Sequence, residues 1–287
     1  MTEQITQAQT AAKTATKQTR VNDILLGPLE RPALKWLSEH TPSWISSDMM
    51  TGLGVFASVL IFFSYIMVGR GGPDPRGNWF LMLASFGFFL NWFGDSLDGT
   101  LARYRHQERP NFGYYIDHSI DAFSAVAMFL GIGLAGLSDF TVATFALIGY
   151  LLAMISVYLK THVTGVFVMT NIKLGPTEIR LIAIIFNTVV FLRGNNPIEN
   201  FPILNQPPTL GTLVLGAIAI ILALYYAYET IFVGIKLAAQ DELALARRKE
   251  KAIKKALKKQ LKVERKAAKK AAKKAAKADR VVSEPIN

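Results

Sequence analysis

Long apolar runs constrain this chain more than any other feature: Thr51 to Gly69, Trp79 to Trp92, Ser119 to Leu137, Phe140 to Leu159, Leu181 to Leu192 and Leu210 to Val233. Most approach the roughly 20 residues that a helix needs to cross about 30 Å of hydrocarbon. In a chain of 287 residues with 51% hydrophobic content, such clustering argues against a soluble globule. It predicts an all-α integral membrane protein with a span for each run. The second and fifth runs are short, but each continues into a charged amphipathic stretch into which its helix can extend.

Charge is distributed unevenly. From Lys236 onward there are 18 Lys and Arg against 6 Asp and Glu, a net of +12, whereas the remainder carries 14 against 15, a net of −1. Basicity is therefore a property of the C-terminal tail. Among the short loops, Lys13, Lys17, Arg20, Arg31 and Lys35 precede the first span, Arg103, Arg105 and Arg109 follow the second, and Lys160, Lys173 and Arg180 follow the fourth. The opposite side holds Arg70, Arg76 and Arg193. By the positive-inside rule both termini face the cytoplasm, and the expected location is the cell inner membrane, multi-pass. Residues 1–20 lack the apolar core of a signal peptide, so an uncleaved N-terminus is expected.

This division suggests four segments. Residues 1–20, rich in Thr, Gln, Ala and Lys, are expected to be disordered. Residues 21–48 contain Ile24, Leu25, Leu29, Leu34 and Trp36 among Glu30, Arg31 and Lys35, which suits an amphipathic helix lying in the headgroup interface. Residues 49–236 form the membrane core. Residues 237–287 form an Ala/Lys tail whose lysines keep a helical stripe, either as a solvated helix or as an attachment to anionic lipid. Nucleic acid is not an expected partner, because no aromatics interleave with the lysines.

The chemistry concentrates in Asp95-Ser-Leu-Asp98-Gly99-Thr-Leu-Ala102-Arg103 and Gly113-Tyr-Tyr-Ile-Asp117-His118-Ser-Ile-Asp121. Positions 95, 98, 99, 102 and 103 share one face of a helix continuing from the second span, and 117 and 121 share one face at the start of the third. Two adjacent antiparallel helices can thus direct four carboxylates at each other. Carboxylates beside hydrocarbon are costly and mark functional sites, and four together require a cation. With no cysteine in the chain, the hard oxygen set Asp95, Asp98, Asp117 and Asp121 suits Mg²⁺ or Mn²⁺, with two ions expected. Gly99 and Ala102 are small enough for a nucleotide to approach, and Arg103 suits phosphate.

The pattern Asp95-x2-Asp98-Gly99-x2-Ala102-Arg103 followed by Gly113-x3-Asp117-x3-Asp121 resembles the signature of the CDP-alcohol phosphotransferase family. Nine residues separate Arg103 from Gly113, where eight is the commonest spacing; the extra one falls in the loop. The resemblance covers roughly residues 40 to 235. It implies a six-helix fold, a homodimer, and transfer of a substituted phosphate from a CDP-linked donor to a hydroxyl acceptor with release of CMP. It further implies Asp95, Asp98 and Asp117 as metal ligands, Asp121 as ligand or general base, and Gly99, Ala102, Arg103 and Gly113 as the lining of the CDP site.

The donor remains open between CDP-diacylglycerol and a CDP-headgroup alcohol such as CDP-choline or CDP-ethanolamine. His118 and the Gly175-Pro176-Thr177-Glu178 segment are similar to motifs of the choline and ethanolamine branch, in which Glu178 would orient His118 as a catalytic relay. The structural alternative makes His118 an interhelical hydrogen-bonding group and Glu178 a helix N-terminal acid. Likewise Lys160, Lys173, Arg180 and His162 either bind a phosphorylated acceptor or simply obey the positive-inside pattern. The competing class is an ion or solute transporter, which would place its acids near the midplane, often in inverted repeats.

Overall fold

A computed structural model describes residues 19–21, 26–72, 74–164, 166–168, 176–198 and 207–282. Two compact units divide the chain, Met1–Glu229 and Thr230–Asn287. The elements are β1 (Thr19–Val21), α1 (Gly27–His40), α2 (Ser47–Arg70), α3 (Trp79–Tyr104), α4 (Pro110–Leu134), α5 (Phe140–Thr164), β2 (Val166–Val168), α6 (Pro176–Arg193) and α7 (Leu210–Val282).

Local chemistry sets the helix starts. Ser46 caps α2 by accepting from the Met49 N–H at 3.2 Å, and Asn78 caps α3 by accepting from the Phe80 N–H at 3.1 Å. α4 opens on Pro110, whose missing N–H costs nothing in a first turn. Pro28 sits likewise at the start of α1, and Pro32 is accommodated within it. α3 runs well beyond its apolar part, as the amphipathic continuation predicts, and carries Asp95 through Arg103 as one helix.

Among the described residues five helices, α2, α3, α4, α5 and α7, are long and apolar enough to cross a membrane. The chain is thus a helical multi-pass membrane protein, with Phe56, Phe63, Phe86, Phe89, Phe145 and Ile155 among the large apolar side chains left exposed, as a lipid-facing surface requires. The remaining expected span corresponds to α6. Its 18 residues include Glu178, Arg180 and Arg193, and this charge keeps it outside the apolar criterion. Glu178 and Arg180 are nevertheless buried against protein.

Residues 1–18 of the segment expected to be disordered lie outside the described residues, but Thr19–Val21 forms a short parallel pair with Val166–Val168, Arg20 standing opposite Phe167. Within the segment expected to lie in the headgroup interface, the helix occupies Gly27–His40, with Leu29 and Trp36 exposed. In the second unit the Ala/Lys segment is helical as far as Val282.

α2 is the main packing partner that α3 and α4 share; α6 and α1 pack on α3, and α5 on α4. The core between them contains Ile61, Tyr65, Leu81, Phe88 and Phe129. Near the acidic end the α2–α3 crossing tightens to backbone contact. A Cβ at Gly94 would stand 2.6 Å from the Met50 carbonyl oxygen and 2.7 Å from the Gly54 nitrogen, so only glycine permits the approach. Met50, Leu97 and Leu101 seal the crossing beneath the acids.

Candidate active site

The Gly94 crossing decides where Asp98 points. Thr51 of α2 donates to Asp98 Oδ2 at 2.7 Å, Ser47 donates to the Asp98 carbonyl at 2.9 Å, and the Gly99 N–H donates to Asp98 Oδ1. One turn earlier, Asp95 Oδ2 accepts from Arg180 Nη2 of α6 at 2.8 Å. Arg180 also donates through Nε to Asn91 Oδ1 at 2.8 Å, and Asn91 Nδ2 donates to the Gly54 carbonyl at 3.0 Å and to Ser58 Oγ at 3.1 Å. Ser58 Oγ lies 2.7 Å from Ser124 Oγ of α4. A polar chain therefore crosses α4, α2, α3 and α6 behind the acids, fixing Asp95 from below.

On α4, the ligand atoms of Asp117, His118 and Asp121 all lie within 4.8 Å of one another. His118 Nδ1 is 3.9 Å from both Asp117 Oδ2 and Asp121 Oδ2, a separation too long for a hydrogen bond. Two rings also flank the imidazole. Tyr114 meets it edge-on with centroids 4.3 Å apart, and Tyr158 of α5 tilts over it at 4.8 Å. Asp121 lies close enough to Asp95 and Arg180 to interact with both electrostatically, as Asp98 does with Asp95. The acids of α3 and α4 thus gather in one electrostatic neighbourhood, although within it Asp117, His118 and Asp121 are the group whose ligand atoms already converge.

This donor set fits a hard divalent cation. Asp95 and Asp98 are oriented by their hydrogen bonds rather than consumed by them, since an ionised carboxylate offers about four lone-pair positions. Of the residues expected to line the CDP site, Arg103 and Gly99 are in contact. The Arg103 guanidinium lies over Gly99, where a Cβ would come within 3.4 Å of Nη1, and Arg103 Nη2 donates to Thr100 Oγ1 at 3.1 Å. Ala102 is half-buried on the same helix, and Gly113 is exposed with open space where a side chain would be.

The structure gives protein partners to several of the remaining expected site residues. Glu178 Oε1 accepts from the Leu26 N–H at 2.9 Å, joining α6 to the start of α1. Of the four basic groups read as a cytoplasmic cluster, Arg180 is buried on Asp95, Lys160 pairs with the buried Glu229 at 3.0 Å, His162 is exposed, and Lys173 lies outside the described residues. Arg105 likewise donates to the carbonyls of Thr41, Pro42 and Ile45, and Arg109 pairs with Asp48. Counting loop cations sees their number but not their internal partners. Sequence reasoning also missed Asn91, whose signal was a carboxamide four residues before Asp95 in an otherwise apolar run, and Tyr114 and Tyr158.

The chain is similar to known proteins. Cholinephosphotransferase 1 of Xenopus laevis is 28% identical over 96 residues, 33% of this chain and 24% of the relative. The bovine (Bos taurus) protein is 27% identical over 135 residues, 47% of this chain and 33% of the relative, and the human (Homo sapiens) protein is 28% identical over 100 residues, 35% and 24% respectively. The chain spans about a quarter to a third of the length of these relatives. The family model for CDP-alcohol phosphatidyltransferase matches residues 44–239, which include every acid and small residue of the site just described, and the chain belongs to that family.

Proposed function

We propose that the protein is a CDP-alcohol phosphotransferase of phospholipid synthesis, moving a substituted phosphate from a CDP-linked donor to a hydroxyl acceptor with release of CMP. The observation that carries the reading is the gathering of Asp95, Asp98, Asp117 and Asp121 beside Arg180 and His118. A transporter would use similar acids, but here they lie at neighbouring ends of two consecutive helices next to a Gly/Ala/Arg face.

Asp95, Asp98 and Asp117 are assigned as ligands of Mg²⁺ or Mn²⁺, with Asp121 as ligand or general base and two ions proposed. A divalent cation bound there supplies neutralisation of the donor pyrophosphate. The chain's own groups account for the rest. Gly99, Ala102 and Gly113 leave room for the nucleotide, and Arg103 presents a guanidinium to its phosphates. Asp121 takes the proton of the acceptor hydroxyl as the new oxygen–phosphorus bond forms and the bond to CMP breaks. His118, 3.9 Å from Asp121 and enclosed by Tyr114 and Tyr158, is proposed to assist that proton's departure. The hydrogen bond of Glu178 to Leu26 supports a structural role for Glu178 more than a relay through His118.

The donor is proposed to be a CDP-headgroup alcohol of the choline or ethanolamine kind, passed to a lipid hydroxyl. Support comes from the cholinephosphotransferases to which the chain is similar and from His118. CDP-diacylglycerol with a polar alcohol is the alternative. α6 is proposed as the sixth crossing, its 18 residues giving about 27 Å of helix. A homodimer in the inner membrane, with both termini cytoplasmic, follows from the family resemblance and the Lys/Arg asymmetry. Attachment of the basic tail to anionic lipid rests on its charge and on exposed Leu243, Ile253, Leu257 and Leu261.

Purified protein incubated with Mg²⁺, CDP-choline, CDP-ethanolamine or CDP-diacylglycerol and the matching acceptor tests the proposal by CMP release. Activity should vanish in EDTA and return with Mg²⁺. Asp95→Asn or Asp121→Asn should lower it by roughly a hundredfold or more in a folded preparation. Near-normal CMP release by either variant would contradict the assignment.

A further inference from the structure

Glu30 belongs, by sequence, to the polar face of an interfacial helix, where an acid would be solvated. The structure turns it inward. Glu30 Oε1 accepts from Trp92 Nε1 at 2.9 Å and from Ser96 Oγ at 2.9 Å, both on α3, while Thr177 Oγ1 in the first turn of α6 lies 3.2 Å from each Glu30 carboxylate oxygen. One carboxylate of α1 therefore joins three helices. The contact is returned, because Glu178 of α6 accepts from the Leu26 N–H at the start of α1. Each helix sends an acid into the other, and sliding or rotating either one breaks at least one of the two.

Register explains why this reaches the reacting groups. Trp92 and Ser96 form one i,i+4 line on α3, and Asn91 and Asp95 form the neighbouring line. On α6, Thr177 and Arg180 are i,i+3. The first turn of α6 is thus pinned to α3 along two parallel lines, Thr177 to Glu30 and Arg180 to Asn91 and Asp95. Arg180 places a fixed positive charge on Asp95 and near Asp121 before any cation arrives.

We propose that Glu30 is a positioning residue, a clasp that holds the first turn of α6 on α3 so that Arg180 stays on Asp95 and partly neutralises the acidic cluster. This rests on the metal-centre reading above. Releasing the clasp lets Arg180 withdraw, leaving the acids more negative but less well placed. The consequence runs opposite to that of simple loosening, since the site should bind a divalent cation more tightly while turning over more slowly.

The test is Mn²⁺ binding to full-length protein without nucleotide, followed by electron paramagnetic resonance, beside CMP release. Glu30→Ala should bind Mn²⁺ about tenfold more tightly, for loss of a unit positive charge at short range, and release CMP about tenfold more slowly. Thr177→Val removes one donor without altering charge and should shift both quantities in the same directions by about threefold. Glu30→Gln retains an acceptor oxygen and should stay within about twofold of wild type, controlling for the charge of Glu30 itself. Thermal melting and monodispersity identify any variant that fails to fold, Thr177→Val then carrying the test. Unchanged or weaker Mn²⁺ binding in both folded Glu30→Ala and Thr177→Val overturns the clasp. Failure of the wild type to bind Mn²⁺ at all would instead bring down the metal centre, and the clasp with it.

Discussion

Replacing Gly94 by alanine probes the contact that aims Asp98. The new Cβ would meet the Met50 carbonyl oxygen at 2.6 Å and the Gly54 nitrogen at 2.7 Å, and both obstacles are main chain, which cannot rotate aside. Ordinary contact begins near 3.4 Å, so α3 must retreat from α2 by about 0.8 Å, a large displacement in a close-packed interior. Three effects compete. Helix propensity favours alanine by up to about 1 kcal/mol. Overpacking opposes it by about 1–3 kcal/mol. Stretching the Thr51–Asp98 hydrogen bond beyond its 2.7 Å removes a further ~1–2 kcal/mol, because its acceptor is charged. The steric and hydrogen-bond terms win, and Gly94→Ala should be less stable by about 1–4 kcal/mol, with slower CMP release because Asp98 loses its hydroxyl partner. Gly52 on α2 supplies the control. A Cβ at Gly52 would have nothing within 4 Å of it, so Gly52→Ala should be neutral or more stable by up to about 1 kcal/mol. Reversible unfolding in mixed micelles by added dodecyl sulfate measures both variants. A Gly94→Ala protein as stable and as active as wild type, or a Gly52→Ala protein equally destabilised, would refute the reasoning.

Lys160→Met removes the ammonium that faces the buried carboxylate of Glu229 and should cost about 2–3 kcal/mol, somewhat below a fully buried pair because Lys160 keeps some solvent contact; Lys160→Met with Glu229→Gln should recover most of that loss in the same unfolding assay. Truncation after Ala239 should leave CMP release in detergent unchanged, while the separated tail peptide should be retained on anionic vesicles in preference to neutral ones. A tail peptide that binds both vesicles equally, or a truncated enzyme without activity, would remove the lipid-attachment role or its independence from the chemistry.

The site was legible to different depths. The acids stood out because each carboxylate beside an apolar run violates the hydropathy around it, and because i,i+3 and i,i+4 spacing places them on shared faces irrespective of the rest of the fold. Gly99 and Ala102 were legible for the same reason. The partners that orient the acids were not. Thr51, Ser58 and Asn91 lie within apolar runs as single polar residues, and a single polar residue in a span carries no mark of which helix it will meet. Arg180 and Lys160 were recognisable as cations but not as ion-pair partners, since the positive-inside rule sums charge over loops and is blind to contacts. Glu30 was misleading, because amphipathic periodicity assigns it to solvent and only the proximity of α3 and α6 makes it an interior acceptor.

By itself, the order of residues determined that this chain crosses a membrane as helices, that its basic charge sits in the tail, and that four aspartates fall on shared helix faces with Gly, Ala and Arg. These are consequences of solvent and of helical period, which act within a segment. The tertiary structure alone decided which hydroxyl holds Asp98, which cation rests on Asp95, and where Glu30 and Glu178 reach. Those pairings depend on how closely helices cross, and a crossing such as that at Gly94 is set by backbone shape between segments distant in the chain, a quantity that no local spacing encodes.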